Sequence, residues 1–166
     1  MSEDGTKHVV IVGGGFAGVA CAKGLADKKG VRVTLLDKNA YHQFQPLLYQ
    51  VATAALTPAD IEFDLEDIFH GHENIEVRKA EVVSADPEAR RVTLADDTTS
   101  DGDVVILAAG SQPNFFHTPG AEEFSFPLYS VDDAKRVRSR VLQLFQDASK
   151  KPEVVEEGGS VTVLRP

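Results

Sequence analysis

Gly13, Gly15 and Gly18 have a spacing that could hold a phosphate group close to the backbone. They follow the apolar run His8–Val12 and open a segment with the spacing of a helix. The first glycine permits a tight turn, the second lets amide groups approach a pyrophosphate, and the third lets the helix pack closely on the strand. The helix N-terminus adds partial positive charge. We therefore expect these residues to bind a pyrophosphate: Gly13, Gly15, Phe16, Ala17 and Gly18.

An acidic residue follows the glycines at a distance typical of a nucleotide site. Asp37 ends the second apolar run, Val31–Leu36, and lies nineteen residues after Gly18. A carboxylate at the end of that strand can accept hydrogen bonds from ribose hydroxyls. Glycines alone could form an ordinary turn, but here strand, loop, helix, second strand and acid occur in register. The pattern predicts a bound dinucleotide and does not separate FAD from NAD.

The elements that would position these residues alternate between strand and helix. Val104–Ala109 is entirely apolar, which predicts a strand buried on both faces. Ile75–Ala85 and Arg91–Leu94 resemble strands joined by a turn. We therefore expect an α/β fold, with a Rossmann-like parallel sheet, helices on both faces and a small β insertion near residues 75–94.

Further helices are predicted from caps and apolar periodicity. Gly30 is expected to end the first helix, and Pro46 to lie in the first turn of a short helix. Ala59–Phe69 resembles an acidic amphipathic helix with a solvated face, and Ser130–Ser149 a helix capped by Ser130. Ser160–Leu164 is expected to begin one more strand.

Composition narrows the function classes. The chain has 166 residues, 42% hydrophobic, which fits one globular domain, and its net charge of −9 disfavours nucleic-acid binding. No apolar run approaches the roughly 20 residues that cross a bilayer.

Cys21 is the only cysteine and is interpreted as a buried structural thiol. His70 and His72 lack a third ligand, so no metal site is expected.

Four segments together resemble the amino-terminal half of type II NADH dehydrogenases. They read GGGFAG, NAYHQFQPLLYQVATAAL, VVILAAGSQPNFFHTPG and FPLYSVDDA, and the resemblance extends from Lys7 to Leu164. These enzymes are flavoprotein NADH:quinone oxidoreductases of the two-dinucleotide-binding-domain superfamily. The string YHQFQPLLYQVAT is far more specific than the glycines.

The resemblance also implies roles for single residues. Asp37 would bind the adenosine ribose of FAD, with Lys38 beside it, and Val82 would offer backbone contacts near the adenine. Ala109 and Gly110 would close on FAD from the end of a strand, although Ala109 replaces the usual threonine and loses its hydroxyl. The residues expected near the isoalloxazine ring are Gln45, Pro46 and Leu47.

The implied reaction is hydride transfer from NADH to FAD, followed by electron delivery to a quinone. The flavin supplies this chemistry, so no residue is assigned as catalytic. Residues 1–157 would form the FAD-binding domain, and residues 158–166 would begin an NADH-binding domain. Because no second glycine loop is present, we expect the chain alone to lack NADH:quinone activity. We expect a cytoplasmic location, with full-length relatives peripheral on the inner face of the membrane.

Several alternatives stay open. The chain could be a module that holds FAD without activity of its own, or part of another flavin enzyme such as a ferredoxin-type reductase or a monooxygenase. A simple NAD-dependent dehydrogenase is disfavoured by the segments VVILAAG and YHQFQPLLYQ. The oligomeric state is not determined, and a homodimer is one arrangement.

Overall fold

The computed structural model describes residues 5–150, which divide into two compact units. The first unit comprises residues 5–42 and 62–111, and the second comprises residues 43–61 and 112–150. The predicted strand Ser160–Leu164 and the predicted domain boundary after residue 157 lie outside the described residues.

The first unit is built on a parallel sheet, as the sequence predicts. Its strand order is Ile75–Lys79 (β5), Val31–Asp37 (β2), Lys7–Val12 (β1) and Val104–Leu107 (β9), and Val9–Val12 pair in parallel with Val104–Leu107. The α/β class is therefore confirmed. The strands are β1 Lys7–Val12, β2 Val31–Asp37, β3 Tyr41–Gln43, β4 Glu62–Asp64, β5 Ile75–Lys79, β6 Val82–Asp86, β7 Arg91–Leu94, β8 Thr99–Asp101 and β9 Val104–Leu107. The helices are α1 Phe16–Leu25, α2 Leu48–Ala52, α3 Leu65–Ile68, α4 Ala121–Phe124 and α5 Val131–Ser149.

The two faces of the parallel sheet are covered by different kinds of structure. Alternate residues of β1 point to opposite faces, so Val9 and Ile11 pack with α1 and α3, whereas Val10 and Val12 pack elsewhere. On that second face lie Val92 and Leu94 of β7, together with their sheet. Helices were expected on both faces, but in the first unit the β insertion covers one of them.

The β insertion is real but differs from its predicted bounds. The single strand predicted over Ile75–Ala85 is wrong, because β5 belongs to the parallel sheet and β6 to an antiparallel sheet of order β6-β7-β8. The chain leaves the parallel sheet at Ala80, whose amide donates to the carbonyl oxygen of Asp37 at 2.7 Å. Both segments have the same apolar character, so composition could not place the break.

Two helix predictions are also wrong. Helix α1 ends at Leu25 rather than at Gly30, because the backbone of Ala26 is already extended and Asp27 has a φ of 58°. Asn74 donates to the carbonyl oxygen of Leu25 at 2.9 Å, so the last carbonyl of the helix has a partner. The expected acidic helix Ala59–Phe69 is instead a 3₁₀ turn at Pro58–Asp60, then β4, then the short helix α3. Several of its acidic residues act as caps, as where the Asp64 side chain accepts from two amides of α3.

Strand β9 is less buried than its sequence indicates. It forms one end of the parallel sheet, and Val104 and Leu107 are 46% and 60% exposed. Within residues 5–150, the outer edge of β9 has no partner strand. The prediction of a strand buried on both faces is therefore wrong for this part of the chain.

The second unit has a small helical core. Helix α2 packs against α5, and Pro46 lies in the first turn of the 3₁₀ helix Gln45–Leu47 before α2, as predicted. The Ser130 hydroxyl accepts from the Asp133 amide at 3.1 Å, which confirms the predicted cap of α5. The buried side chains of this core are Leu48, Val51, Ala52, Ile61, Val131 and Ala134.

We expect Gly18→Ala to destabilise the first unit, because its added carbon would collide with the carbonyl oxygen of Gly13. Overpacking of this kind costs about 1–3 kcal/mol of unfolding free energy. Gly24→Ala on the same helix is the matched control, since an added carbon there meets nothing within 4 Å. It should raise the unfolding free energy by roughly 0.5–1 kcal/mol. Chemical denaturation measures both, and equal effects would contradict the assigned contact.

Candidate functional site

The residues predicted to bind a dinucleotide lie at one edge of the parallel sheet, within the first unit. Gly13 follows β1, Asp37 ends β2, Ala109 and Gly110 come shortly after β9, and Val82 begins β6 just beyond β5. Because the four strands are parallel, their carboxyl ends meet at this edge. Ligands of open α/β sheets bind beyond these strand ends.

The glycines of the loop have three different surroundings. Gly13 has a φ of 108°, and a side-chain carbon on it would collide with the carbonyl oxygen of Ala108. A side-chain carbon on Gly18 would come even closer to a carbonyl oxygen, that of Gly13. Gly15, in contrast, has an ordinary extended backbone, and a side-chain carbon there would meet nothing within 4 Å. The chain itself requires the first and third glycines, whereas the second leaves space beside the loop.

The N-terminus of α1 carries no side-chain cap. Gly15 is its N-cap, and its first turn holds no acidic residue. Gly15, Phe16 and Ala17 are all exposed. The first amides of a helix lack intrahelical partners, and the helix dipole makes their end partly positive. The loop therefore fits a phosphate group in space, in hydrogen-bond donors and in charge.

Asp37 holds the loop through bonds to two backbone amides. Its Oδ2 accepts from the Gly14 amide at 2.6 Å, and its Oδ1 accepts from the Asn39 amide at 2.7 Å. Each carboxylate oxygen has two lone pairs, so the group retains capacity for a ribose hydroxyl. Spacing alone did not indicate the bond to Gly14.

A second side chain contacts the same glycine. His42 of β3 lies with its Nδ1 2.9 Å from the Gly14 carbonyl oxygen. Leu65 of α3 closes the loop from another side, since a side-chain carbon on Gly14 would lie 2.6 Å from its Cδ1. Neither contact has a local sequence signal, because both join residues far apart in the chain.

The remaining predicted residues differ in their surroundings. Lys38 is exposed directly after Asp37, and Val82 is half-buried against the cluster of Val10 and Val12. Ala109 and Gly110 are exposed, and Gly110 has a φ of 73° that favours glycine. Their contacts with a nucleotide stay predictions.

The residues expected beside the isoalloxazine ring belong to the second unit. Gln45 and Gln43 both donate from Nε2 to the carbonyl oxygen of Tyr129, at 3.2 and 2.8 Å. The Oε1 of Gln43 also accepts from the Val131 amide at 2.8 Å, so this side chain pairs with the start of α5. Gln43 and Gln45 thus have a structural role in this unit that sequence reasoning missed.

Two titratable groups with shifted pKa values lie at the opposite, amino edge of the parallel sheet. Burial, and then the charge of Arg32, lowers the pKa of His8, whose Nε2 lies 2.9 Å from the Thr34 hydroxyl. The His8 amide donates to Asp103 at 2.9 Å and is the main cause that lowers the pKa of that carboxyl. These groups do not take part in the glycine site.

The described residues offer neither a metal centre nor a membrane span. Over residues 5–150, no group of three histidine, cysteine or acidic side chains is arranged to hold an ion. No helix in the same range has both the length and the apolar character to cross a bilayer.

Comparison with known proteins gives consistent matches. The family model for pyridine nucleotide-disulphide oxidoreductases matches residues 7–163. The chain is 37% identical to the type II NADH:quinone oxidoreductase NdhA of Mycobacterium tuberculosis, over 96% of this chain and 34% of that protein. It is 32% identical to a type II NADH:quinone oxidoreductase of Haemophilus influenzae, over 84% of this chain and 34% of that protein. The chain thus spans about a third of the length of these relatives.

Solved structures agree in fold. The sulfide:quinone oxidoreductase of Aquifex aeolicus superposes with a TM-score of 0.75 at 27% identity, over 85% of this chain and 33% of that one. The NDH2 of Plasmodium falciparum in complex with NADH gives a TM-score of 0.77 at 19% identity, over 87% of this chain and 30% of that one. The second match shows the fold alone.

We expect Asp37→Ala to weaken dinucleotide binding roughly tenfold to a hundredfold, because it removes a ribose acceptor and the partner of the Gly14 amide. Asp37→Asn keeps one acceptor oxygen in nearly the same shape and should lose less. Calorimetric titration of both variants tests this. Equal affinity of Asp37→Ala and the unaltered protein would show that Asp37 does not face the ligand.

Proposed function

Since the chain belongs to the pyridine nucleotide-disulphide oxidoreductase family, we propose that its glycine loop binds the pyrophosphate of FAD. In this proposal Asp37 accepts from the adenosine ribose, Lys38 lies beside it, and the backbone at Val82 contacts the adenine. Ala109 and Gly110 approach the cofactor from the end of β9. The chain's residues bind and orient the group, and none of them is assigned a proton or a nucleophilic step.

The open space beside Gly15 is the observation that carries this proposal. Nothing within 4 Å would meet a side-chain carbon there, so the fold alone does not require this glycine. The adjacent helix N-terminus is exposed and has no side-chain cap. A pyrophosphate would occupy this space and accept hydrogen bonds from the first amides of α1. The geometry supports a dinucleotide in general.

The choice of FAD over NAD rests on the resemblance and on the relatives. The segment YHQFQPLLYQVAT resembles flavoprotein sequences, and the curated relatives include several NADH:quinone oxidoreductases. When bound, FAD would supply hydride acceptance from NADH and electron delivery to a quinone. We propose this as the reaction of the full-length protein that contains the chain.

The same proposal extends to location and assembly. NADH and quinone would be partners of the full-length protein, and FAD the partner of this chain. Quinones with long tails partition into lipid, so a cytoplasmic protein that reduces them would work at the inner face of the membrane. Membrane flotation with the full-length protein tests the location, and sedimentation tests whether it forms a homodimer.

We expect the purified protein to show the visible absorption spectrum of bound flavin. The Gly15→Val variant should lack this spectrum. The valine would fill the space that the pyrophosphate needs, while the unfolding midpoint of the cofactor-free protein should change little. Gly24→Val on the same helix, also in open space, is the control and should keep the flavin. Calorimetric titration with FAD and with NAD measures which of the two binds. Binding of NAD without binding of FAD would contradict the proposed cofactor.

The 166-residue chain by itself should show no NADH:quinone turnover. Fast hydride transfer needs the nicotinamide positioned against the flavin, and the sequence contains one glycine loop of this type. The assay adds NADH and a water-soluble quinone to the chain reconstituted with FAD. Turnover within the usual enzyme range of about 1–1000 per second would show instead that the chain forms a complete site.

A further inference from the structure

His42 has surroundings unlike those of any other titratable side chain in residues 5–150. It is 8% exposed, and among the described residues no other titratable side chain is buried. Its strand, β3, lies outside the parallel sheet. The glycine loop motif does not include it, and the proposed cofactor contacts do not use it.

The contact between His42 and the loop determines where the imidazole carries its hydrogen. Nδ1 lies 2.9 Å from the carbonyl oxygen of Gly14, and a carbonyl oxygen can only accept. Nδ1 is therefore protonated and donates. The ring is also held edge-on to Phe16, with centroids 5.0 Å apart and planes at 88°. Both the hydrogen bond and the ring contact keep the imidazole in one orientation.

This hydrogen bond fixes the direction of a different group, the amide of Gly15. The peptide between Gly14 and Gly15 is planar and trans, so its C=O and N–H point in opposite directions. Because His42 holds the C=O, the Gly15 N–H points away from the imidazole. Asp37 holds the preceding peptide by its N–H at 2.6 Å. Rotation of either peptide plane would break one of these bonds.

We propose that His42 is a positioning residue that aims the Gly15 amide at the pyrophosphate of the bound dinucleotide. The inference rests on the proposed function, since it needs a pyrophosphate beside Gly15. Without a donor at Nδ1, the Gly14 carbonyl would lie buried without a partner, and the peptide could turn its N–H away from the ligand. Donors that are already oriented bind a ligand without a further ordering cost.

Three substitutions separate the donor from the bulk of the side chain. His42→Phe keeps a ring against Phe16 but has no donor. His42→Asn places an amide nitrogen near the position of Nδ1, and His42→Gln places it about one bond farther along. Asparagine should keep the affinity of the unaltered protein. The His42→Phe and His42→Gln variants should each bind FAD about tenfold more weakly, as expected for the loss of one buried hydrogen bond.

The readout is the dissociation constant of FAD, by flavin fluorescence, and of ADP, by calorimetry. Both ligands contain the diphosphate, so both affinities should fall by the same factor, whereas adenosine binding should not change between variants. Thermal unfolding of the cofactor-free proteins checks that each variant is folded. If His42→Phe does not fold, the FAD and ADP affinities of His42→Asn and His42→Gln are compared instead, and only those of His42→Gln should fall.

The outcomes distinguish this inference from the proposal on which it rests. Failure of the unaltered protein to bind FAD refutes the proposed function itself. The proposed role of His42 is overturned if all variants bind FAD equally. It is also overturned if His42→Asn binds FAD as weakly as His42→Phe. Retained affinity with asparagine and matched losses for FAD and ADP with the other two variants support it.

Discussion

The close approach of Gly18 to the Gly13 carbonyl oxygen governs how the first unit is arranged. Any side chain at position 18 would push α1 away from the end of β1. With glycine there, the helix begins directly beyond the sheet edge, and Val19 and Ala22 can pack on the face formed by Val9 and Ile11. The same contact brings the exposed start of the helix to the edge where Asp37 ends its strand.

Next to this contact, the backbone groups of Gly14 are bound within the protein, whereas Gly15 is exposed to solvent. Gly14 has both of its backbone groups bound by side chains, its amide by Asp37 and its carbonyl by His42. Gly15, the next residue, is exposed and has open space at its α-carbon. The loop backbone is therefore held at Gly14 and exposed at Gly15, the residue beside which the proposed ligand would bind.

Sequence reasoning succeeded where neighbouring residues determine the structure. The glycine loop between β1 and α1, the acid at the end of β2 and the serine cap of α5 all depend on residues a few positions apart. It failed where contacts between residues far apart in the chain determine the structure. Asn74 binds the last carbonyl oxygen of α1 from almost fifty positions away, and no local pattern reveals that bond. The break between β5 and β6 depends on which sheet each segment joins, and their compositions do not differ enough to show it.

Within residues 5–150, the outer edge of β9 has no partner strand, and this bears on how the chain behaves in solution. The outer backbone groups of this strand face away from β1, and two of its four side chains, Val104 and Leu107, are largely exposed. An apolar strand edge of this kind can accept a strand from a second molecule. Such pairing follows mass action, so dilute chains stay separate and crowded ones associate. Pairing through this edge would therefore make the oligomeric state of the chain depend on its concentration.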